Sequence, residues 1–214
     1  MTTTYAQLKA AVSRQLNAGV FWTDSEIGAA VNDIYLEMCE YSECYETSLT
    51  LTMATSGSYY DLEAQDPIIL VPHRVWNSQT SKWLEIDYVR NLDKTCGRWG
   101  ESGAEPTKWF MRGASMFGIY PVPTAASGTL VIEGPGIPDQ MTADSDTPVF
   151  PIQFHSGIVN GAVSILKGLE RETKMAVRYY KIYAATRDDL AWWVKQRTSR
   201  PRIPVVGSQA GEAR

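Results

Sequence analysis

The sequence is poor in the residues that most catalytic and metal sites require. Its 214 residues include two histidines, His73 and His155, and three cysteines. Neither histidine stands in a metal-binding spacing, and there is no GxSxG nucleophile elbow, GxxxxGK[ST] phosphate loop or dinucleotide-binding glycine pattern. The carboxylates lack partners that would make them specific for glycoside hydrolysis. We therefore predict a protein that is not an enzyme and uses no metal and no cofactor.

Long apolar runs are also missing. The longest, Ile68 to Pro72, falls far short of the roughly 20 residues that cross a membrane. No basic region followed by an apolar stretch opens the chain, and the cysteine number is odd, so we expect reduced thiols in a cytoplasmic product. Cys39 and Cys44 are expected on different faces of one helix, which argues against a metal site built on them.

Positive charge is absent from a long N-terminal segment. From Gln15 to His73 there is no lysine or arginine, although the same span holds ten acidic residues. The C-terminal end is basic, because Lys195, four arginines and a single acid, Glu212, lie there. Such an asymmetry predicts polar contacts in an assembly or a charged partner.

Helical periodicity marks both ends of the chain. Helices are predicted over 4–18, 23–45, 152–168 and 170–198, and Thr23 with Glu26 forms a capping box at the start of the second. The third is apolar on most of its circumference and should be the buried central one. The predicted buried stripes are Ile27, Val31, Ile34, Met38, Tyr41 and Tyr45 on the second helix, and Met175, Tyr179, Ile182, Thr186, Leu190 and Trp193 on the fourth.

Short alternating segments between the two helix pairs predict strands over 47–53, 59–62, 67–72, 107–112, 116–120 and 129–133, and a strand or short helix over 82–87. The fold class is therefore α+β. A four-helix core is expected from 1–46 and 148–198, with a β-rich insertion at 47–147 as a protruding arm. Residues 199–214, with Pro201, Pro204 and no periodicity, are predicted to form an extended C-terminal tail.

An acidic stripe of Glu26, Asp33, Glu37 and Glu40 lies on the second helix, opposite its apolar stripe. A solvated helix face is the ordinary explanation, but the basic residues that usually alternate with acids on such a face are missing. In a ring, an acidic lumen would repel the DNA backbone and let DNA slide past. A sequence pI of about 5.3 argues against DNA recognition through a basic surface.

Several segments, taken in order, resemble the head-to-tail adaptor proteins of tailed bacteriophages. They are FWTDSEI at 21–27 with VNDIY at 31–35, EPTKWF at 105–110, FGIYPVP at 117–123, GTLVIE at 128–133, DTPVFPIQFH at 146–155 and YYKIY at 179–183. The resemblance spans about residues 5–195, is one of order and spacing, and leaves 72–103 unmatched.

The resemblance implies a structural virion protein of the neck. Such adaptors form rings, commonly of twelve subunits, that join the portal to the tail or nozzle proteins and line the DNA channel, with double-stranded DNA passing without specific binding and no membrane involved. A C-terminal segment of these proteins often inserts into the portal. Basic charge and prolines suit such a peptide, and the implied portal-binding residues are Arg197, Arg200, Pro201, Arg202, Ile203 and Pro204.

Other interpretations stay open at this point. A tail terminator or tail tube subunit would also form a ring, but those proteins are usually β-dominated. A carbohydrate-binding module would use aromatic residues of the β insertion as its platform, namely Trp76, Trp83, Trp99 and Trp109. A small DNA-processing enzyme is disfavoured by the missing motifs, and the C-terminal tail could be a disordered end without a role.

Overall fold

A computed structural model describes residues 3–16, 21–54, 59–95, 105–123 and 128–198. Within these ranges the chain is α+β, as predicted. The helices are α1 (Tyr5–Gln15), α2 (Asp24–Ser42), α3 (Val89–Thr95), α4 (His155–Leu169, preceded by a 3-10 turn at Ile152–Phe154) and α5 (Thr173–Thr198). The strands are β1 (Glu46–Thr52), β2 (Tyr59–Asp61), β3 (Arg74–Asn77), β4 (Lys82–Trp83), β5 (Glu85–Ile86), β6 (Lys108–Arg112), β7 (Met116–Tyr120) and β8 (Thr129–Pro135).

Side-chain caps start the two N-terminal helices where the sequence indicates. Thr23 accepts a hydrogen bond from the Glu26 amide, and the Glu26 carboxylate accepts one from the Thr23 amide, so the predicted capping box is confirmed. Thr4 and Gln7 form the same arrangement at α1. The last described helical residue of α1 is Gln15, and 17–20 lie outside the described residues.

The long helices share one apolar core with α4 at its centre. α4 packs against α1, α2 and α5, which confirms its predicted position. Gly161 permits a close approach to α2, because a Cβ there would lie 2.7 Å from the Cγ2 of Ile34. Fully buried side chains of this core include Val12, Val31, Met38, Ile158, Ala162, Val163 and Leu190.

The predicted stripes of α2 and α5 need correction. α2 ends at Ser42 because Glu43 adopts a left-handed conformation with φ 53°, so Tyr45 lies beyond the helix and Tyr41 is 51% exposed. On α5, Ile182 is 45% exposed and Tyr183 is only 1% exposed. The buried face of α5 is therefore rotated about the helix axis relative to the predicted one, because α5 packs against α2 as well as α4.

The strands form two four-stranded sheets that share a second apolar core. Their orders are β1-β8-β3-β4 and β2-β7-β6-β5, antiparallel except for the β5–β6 pair. Residues from both sheets meet in the core, among them Leu49, Leu51, Val75, Trp109, Phe117, Ile119, Leu130 and Ile132. The division of the chain into domains at 46/47 and 147/148 stays a prediction.

The predicted strand over 67–72 is wrong. Only Ile69 makes an isolated bridge there, to Gly136, and a proline at each end lacks the N–H that a ladder requires. Strand β3 and helix α3 occupy positions where the sequence patterns predicted no element. The ambiguous 82–87 segment divides into β4 and β5, which belong to different sheets.

Candidate functional site

The four acidic residues predicted on α2 all lie exposed on its outward side. Glu26, Asp33, Glu37 and Glu40 are exposed, whereas Ile27, Val31, Ile34 and Met38 on the other side are buried. The helix therefore presents these carboxylates on one face, as the spacing indicated.

Two of these carboxylates are already engaged. The hydrogen bond from the Thr23 amide to Glu26, 2.8 Å long, lowers the pKa of that carboxyl. Glu37 forms an ion pair with Arg187 of α5, with 3.4 Å between Nη1 and Oε1. Asp33 and Glu40 have no cation within ion-pair distance among the described residues. They are therefore the carboxylates of this face with the least compensated charge.

Arg187 is a residue that sequence reasoning missed. Its guanidinium lies 3.9 Å from the centre of the Tyr41 ring, in addition to its contact with Glu37. The α2 face therefore has a basic neighbour supplied by another helix. Tyr183, one turn earlier, is buried and shares a face of α5 with Arg187. The predicted apolar line ran through Ile182 instead, so nothing in the sequence indicated this position.

The predicted portal-binding residues are mostly beyond the described chain. Arg197 lies exposed in the last turns of α5, with its guanidinium 3.9 Å from the centre of the Trp193 ring. Arg200, Pro201, Arg202, Ile203 and Pro204 lie outside the described residues.

A groove of about 1150 Å³ separates the outer face of the first sheet from the ends of α2 and α5. Cross-strand neighbours Ser48 of β1, Glu133 of β8 and Arg74 of β3 form its floor. The remaining lining residues are Tyr41, Ser42, Glu43, Glu46, Thr47, His73, Gly134, Ala191, Val194 and Lys195. The groove thus mixes carboxylates, cations and one aromatic ring.

The expectation that Cys39 and Cys44 face apart is wrong. Because Glu43 turns the chain after α2, Cys44 lies beyond the helix and packs, like Cys39, in the helical core. Interaction with the Cys39 thiol lowers the pKa of the Cys44 thiol to about 7, whereas interaction with Cys44 and burial raise the pKa of Cys39. No group of three possible metal ligands from His, Cys, Asp and Glu occurs in the described part of the chain.

The three described tryptophans of the β insertion do not form an open platform. Trp109 is 3% exposed and stacks on Phe117 inside the core. Trp76 and Trp83 meet edge to face, with an angle of 67° between their planes. Trp99 lies outside the described residues. Flat stacking of a sugar ring across these side chains is therefore not supported by their arrangement.

Comparison with protein families decides which group the chain falls into. A family model described as SU10 adaptor protein matches residues 3–206. The chain belongs to the SU10 adaptor family. This is a family of phage head-to-tail adaptors, so the resemblance is confirmed. No curated protein matches the chain significantly.

Membership in the SU10 adaptor family places the chain among the structural components of the virion neck, where it interacts with other neck components. The matched span runs through 72–103, which the resemblance left unassigned, and into the C-terminal tail as far as residue 206. No helix in the described ranges is both long and apolar enough to span a membrane.

Proposed function

We propose that this SU10-family adaptor assembles into a ring, a dodecamer, that joins the portal to the tail at the neck. The observation that carries this proposal is the family match over nearly the whole chain. A single subunit also leaves large apolar side chains of α5 exposed, among them Val177, Tyr180 and Trp192, the last at 64%. Exposed apolar surface of this kind is typical of a subunit that buries more area on assembly.

Absolute quantitation of the chain in purified virions, relative to the major capsid protein, tests the ring. About a dozen copies per particle are expected for one ring at the single portal vertex. A copy number in the hundreds would indicate a tube or capsid subunit. Absence from the particle would overturn a structural role in the neck.

The portal is proposed to bind the basic C-terminal segment, with Arg200 and Arg202 as its main cations. Charged side chains on an extended peptide suit a groove in a partner protein. We expect R200A/R202A to weaken portal binding in size-exclusion or mass-photometry assays, and deletion of 199–214 to abolish it. The matched control is R90A/K94A, which removes two exposed cations of α3. Wild-type portal binding by the deletion variant would refute the role of this segment.

The acidic α2 face is proposed to line the DNA channel of the ring. Repulsion between its carboxylates and the DNA phosphates would keep DNA from sticking during packaging and ejection. Asp33 and Glu40 are the informative positions, because Arg187 already compensates Glu37.

We expect D33K/E40K adaptors to assemble into virions that package or eject DNA more slowly. The control E63K/D66K makes the same charge change at two exposed positions after β2. Packaging and ejection rates that are unchanged in D33K/E40K would contradict a channel position for this face. Rates that fall equally in both variants would contradict it as well.

A further inference from the structure

The groove between the first sheet and the helix ends has an acidic entrance. Glu43, at the end of α2, and Glu46, at the start of β1, are exposed there and have no ion-pair partner among the described residues. The third carboxylate, Glu133, is compensated, since its Oε2 lies 2.7 Å from Nη2 of Arg74. An occupant that brings one or two cations to Glu43 and Glu46 would therefore be favoured electrostatically.

The same groove runs beside an open strand edge. Among the described strands, β1 is the terminal strand of its sheet and pairs only with β8. The bonds from Gly136 N–H to Tyr45 C=O and from Met53 N–H to Gly128 C=O show that odd-numbered residues face β8. In an antiparallel ladder the alternate residues then point away from the partner strand. Ser48 and Thr50 therefore direct their backbone N–H and C=O groups to the open edge.

The end of α5 forms one wall of this groove. Ala191, Val194 and Lys195 line it, and the chain continues from Thr198 into the segment 199–214. Sixteen residues can span up to roughly 50 Å when extended, so reaching β1 needs only the first part of the segment. The continuity of α5 with the groove makes this segment the polypeptide with the highest local concentration there.

The chemistry of the segment matches the groove. Arg200 and Arg202 supply cations for Glu43 and Glu46, and Glu212 is the segment's single acid. Ile203 and Val205 are β-branched residues that suit a strand. Because Pro204 lies between them, its missing N–H falls on the side opposite to theirs and interrupts no bond to β1.

We propose that in the free subunit the first half of the C-terminal segment docks in its own groove, adding an extended strand to the β1 edge. Arg200 and Arg202 meet Glu43 and Glu46, and main-chain hydrogen bonds form to Ser48 and Thr50. The proposal goes beyond the neck function, since it concerns the subunit before assembly. Portal binding of the same segment would then require release from the groove.

Trypsin cleavage of the full-length chain tests the docking. Arg200 precedes Pro201 and is therefore resistant to trypsin, so the informative bond is the one between Arg202 and Ile203. Cleavage after Arg202, followed by intact mass spectrometry, is expected to be much slower than in a free peptide of residues 199–214. Neutralising the groove with E43Q/E46Q should speed cleavage about five-fold, as expected for the loss of two partly exposed ion pairs. The control E63Q/D66N, at exposed positions distant in sequence, should leave the rate unchanged.

Hydrogen exchange of the β1 amides tests the same docking from the side of the sheet. Amides of β1 at Ser48 and Thr50 should exchange faster when residues 199–214 are deleted, while those at Leu49 and Leu51 stay protected by β8. Circular dichroism establishes that the shortened chain is folded. If the exchange rates at Ser48 and Thr50 are the same with and without residues 199–214, no strand is added to β1 and the proposal is wrong.

Three other outcomes of these experiments would contradict docking of the segment in its own groove. Cleavage as fast as in the free peptide, or insensitive to E43Q/E46Q, would overturn docking. Protection that rises with protein concentration would instead place the segment in the groove of a second copy, and overturn docking in its own chain. Portal binding is measured in a separate assay. A failure of the docking proposal therefore leaves the portal-binding proposal intact, and the reverse also holds.

Discussion

The Asn32 side chain is the polar link that ties the exit of the β insertion to the helical core. Its Nδ2 donates to the Met141 carbonyl at 2.9 Å, and its Oδ1 accepts from the Met141 amide at 3.1 Å. Both residues are buried. Replacing Asn32 by alanine removes two hydrogen bonds and leaves both backbone groups of Met141 buried without a partner. We expect the N32A substitution to lower the free energy of unfolding by about 2–4 kcal/mol.

Urea denaturation, followed by tryptophan fluorescence and circular dichroism, measures this loss. With a slope of about 2 kcal/mol per molar urea, the midpoint should fall by roughly 1–2 M. The control is N160A, because the Asn160 amide donates only to the carbonyl of Ser156 one turn earlier in α4. That variant should stay within about 0.5 kcal/mol of wild type. An N32A loss no larger than that of N160A would show that the Met141 groups find other partners, and would refute the reasoning.

Three further predictions follow from other parts of the molecule. Burial lowers the pKa of His155. Unfolded chains therefore bind more protons than folded chains as pH falls from 7 to 5, and stability should decrease over that range. H155Q should flatten the dependence of the denaturation midpoint on pH, and a dependence as steep as in wild type would contradict this reasoning. G161A should lower the free energy of unfolding by about 1–3 kcal/mol in urea denaturation, because its Cβ would lie 2.7 Å from an isoleucine methyl of α2. G168A, whose Cβ would have its nearest contact at 4.0 Å, should be neutral or stabilising. Equal effects of the two substitutions would contradict the close approach of α4 to α2. The rate at which iodoacetamide modifies Cys44 should increase with pH, with an apparent pKa of about 7. If peptide mass spectrometry finds no adduct on Cys44 at pH 8, the thiol is not accessible to solvent and the prediction is wrong.

Local patterns in the sequence correctly predicted the features that depend on interactions between residues close together in the chain. The Thr23–Glu26 capping box, the strand at 116–120 and the outward acidic face of α2 all appear where composition and spacing indicate. In each case the deciding interactions are short in range: a cap hydrogen bond, alternation along one strand, or the 3.6-residue repeat of one helix.

The order of the segments in the sequence also pointed to the family. The predicted resemblance to phage head-to-tail adaptors agrees with the SU10 adaptor match over 3–206. Spacing of motifs along the chain is a property of the sequence itself, so it needs no knowledge of which surfaces touch. Ring size, portal contact and channel position depend on other chains, and no pattern within one chain contains them.

Tertiary packing decided the features that depend on two elements distant in sequence. Arg187 meets Glu37 because α5 crosses α2, and Tyr183 replaces Ile182 in the core for the same reason. The left-handed turn at Glu43 brings Cys44 back to Cys39, where a helix continued through that point would have separated them. Periodicity within one helix specifies that a face is apolar, but the direction of that face is set by whichever neighbours bury the most surface. The sequence by itself therefore determined the four long helices, most of the strands and the family, and the tertiary structure determined which side chains meet.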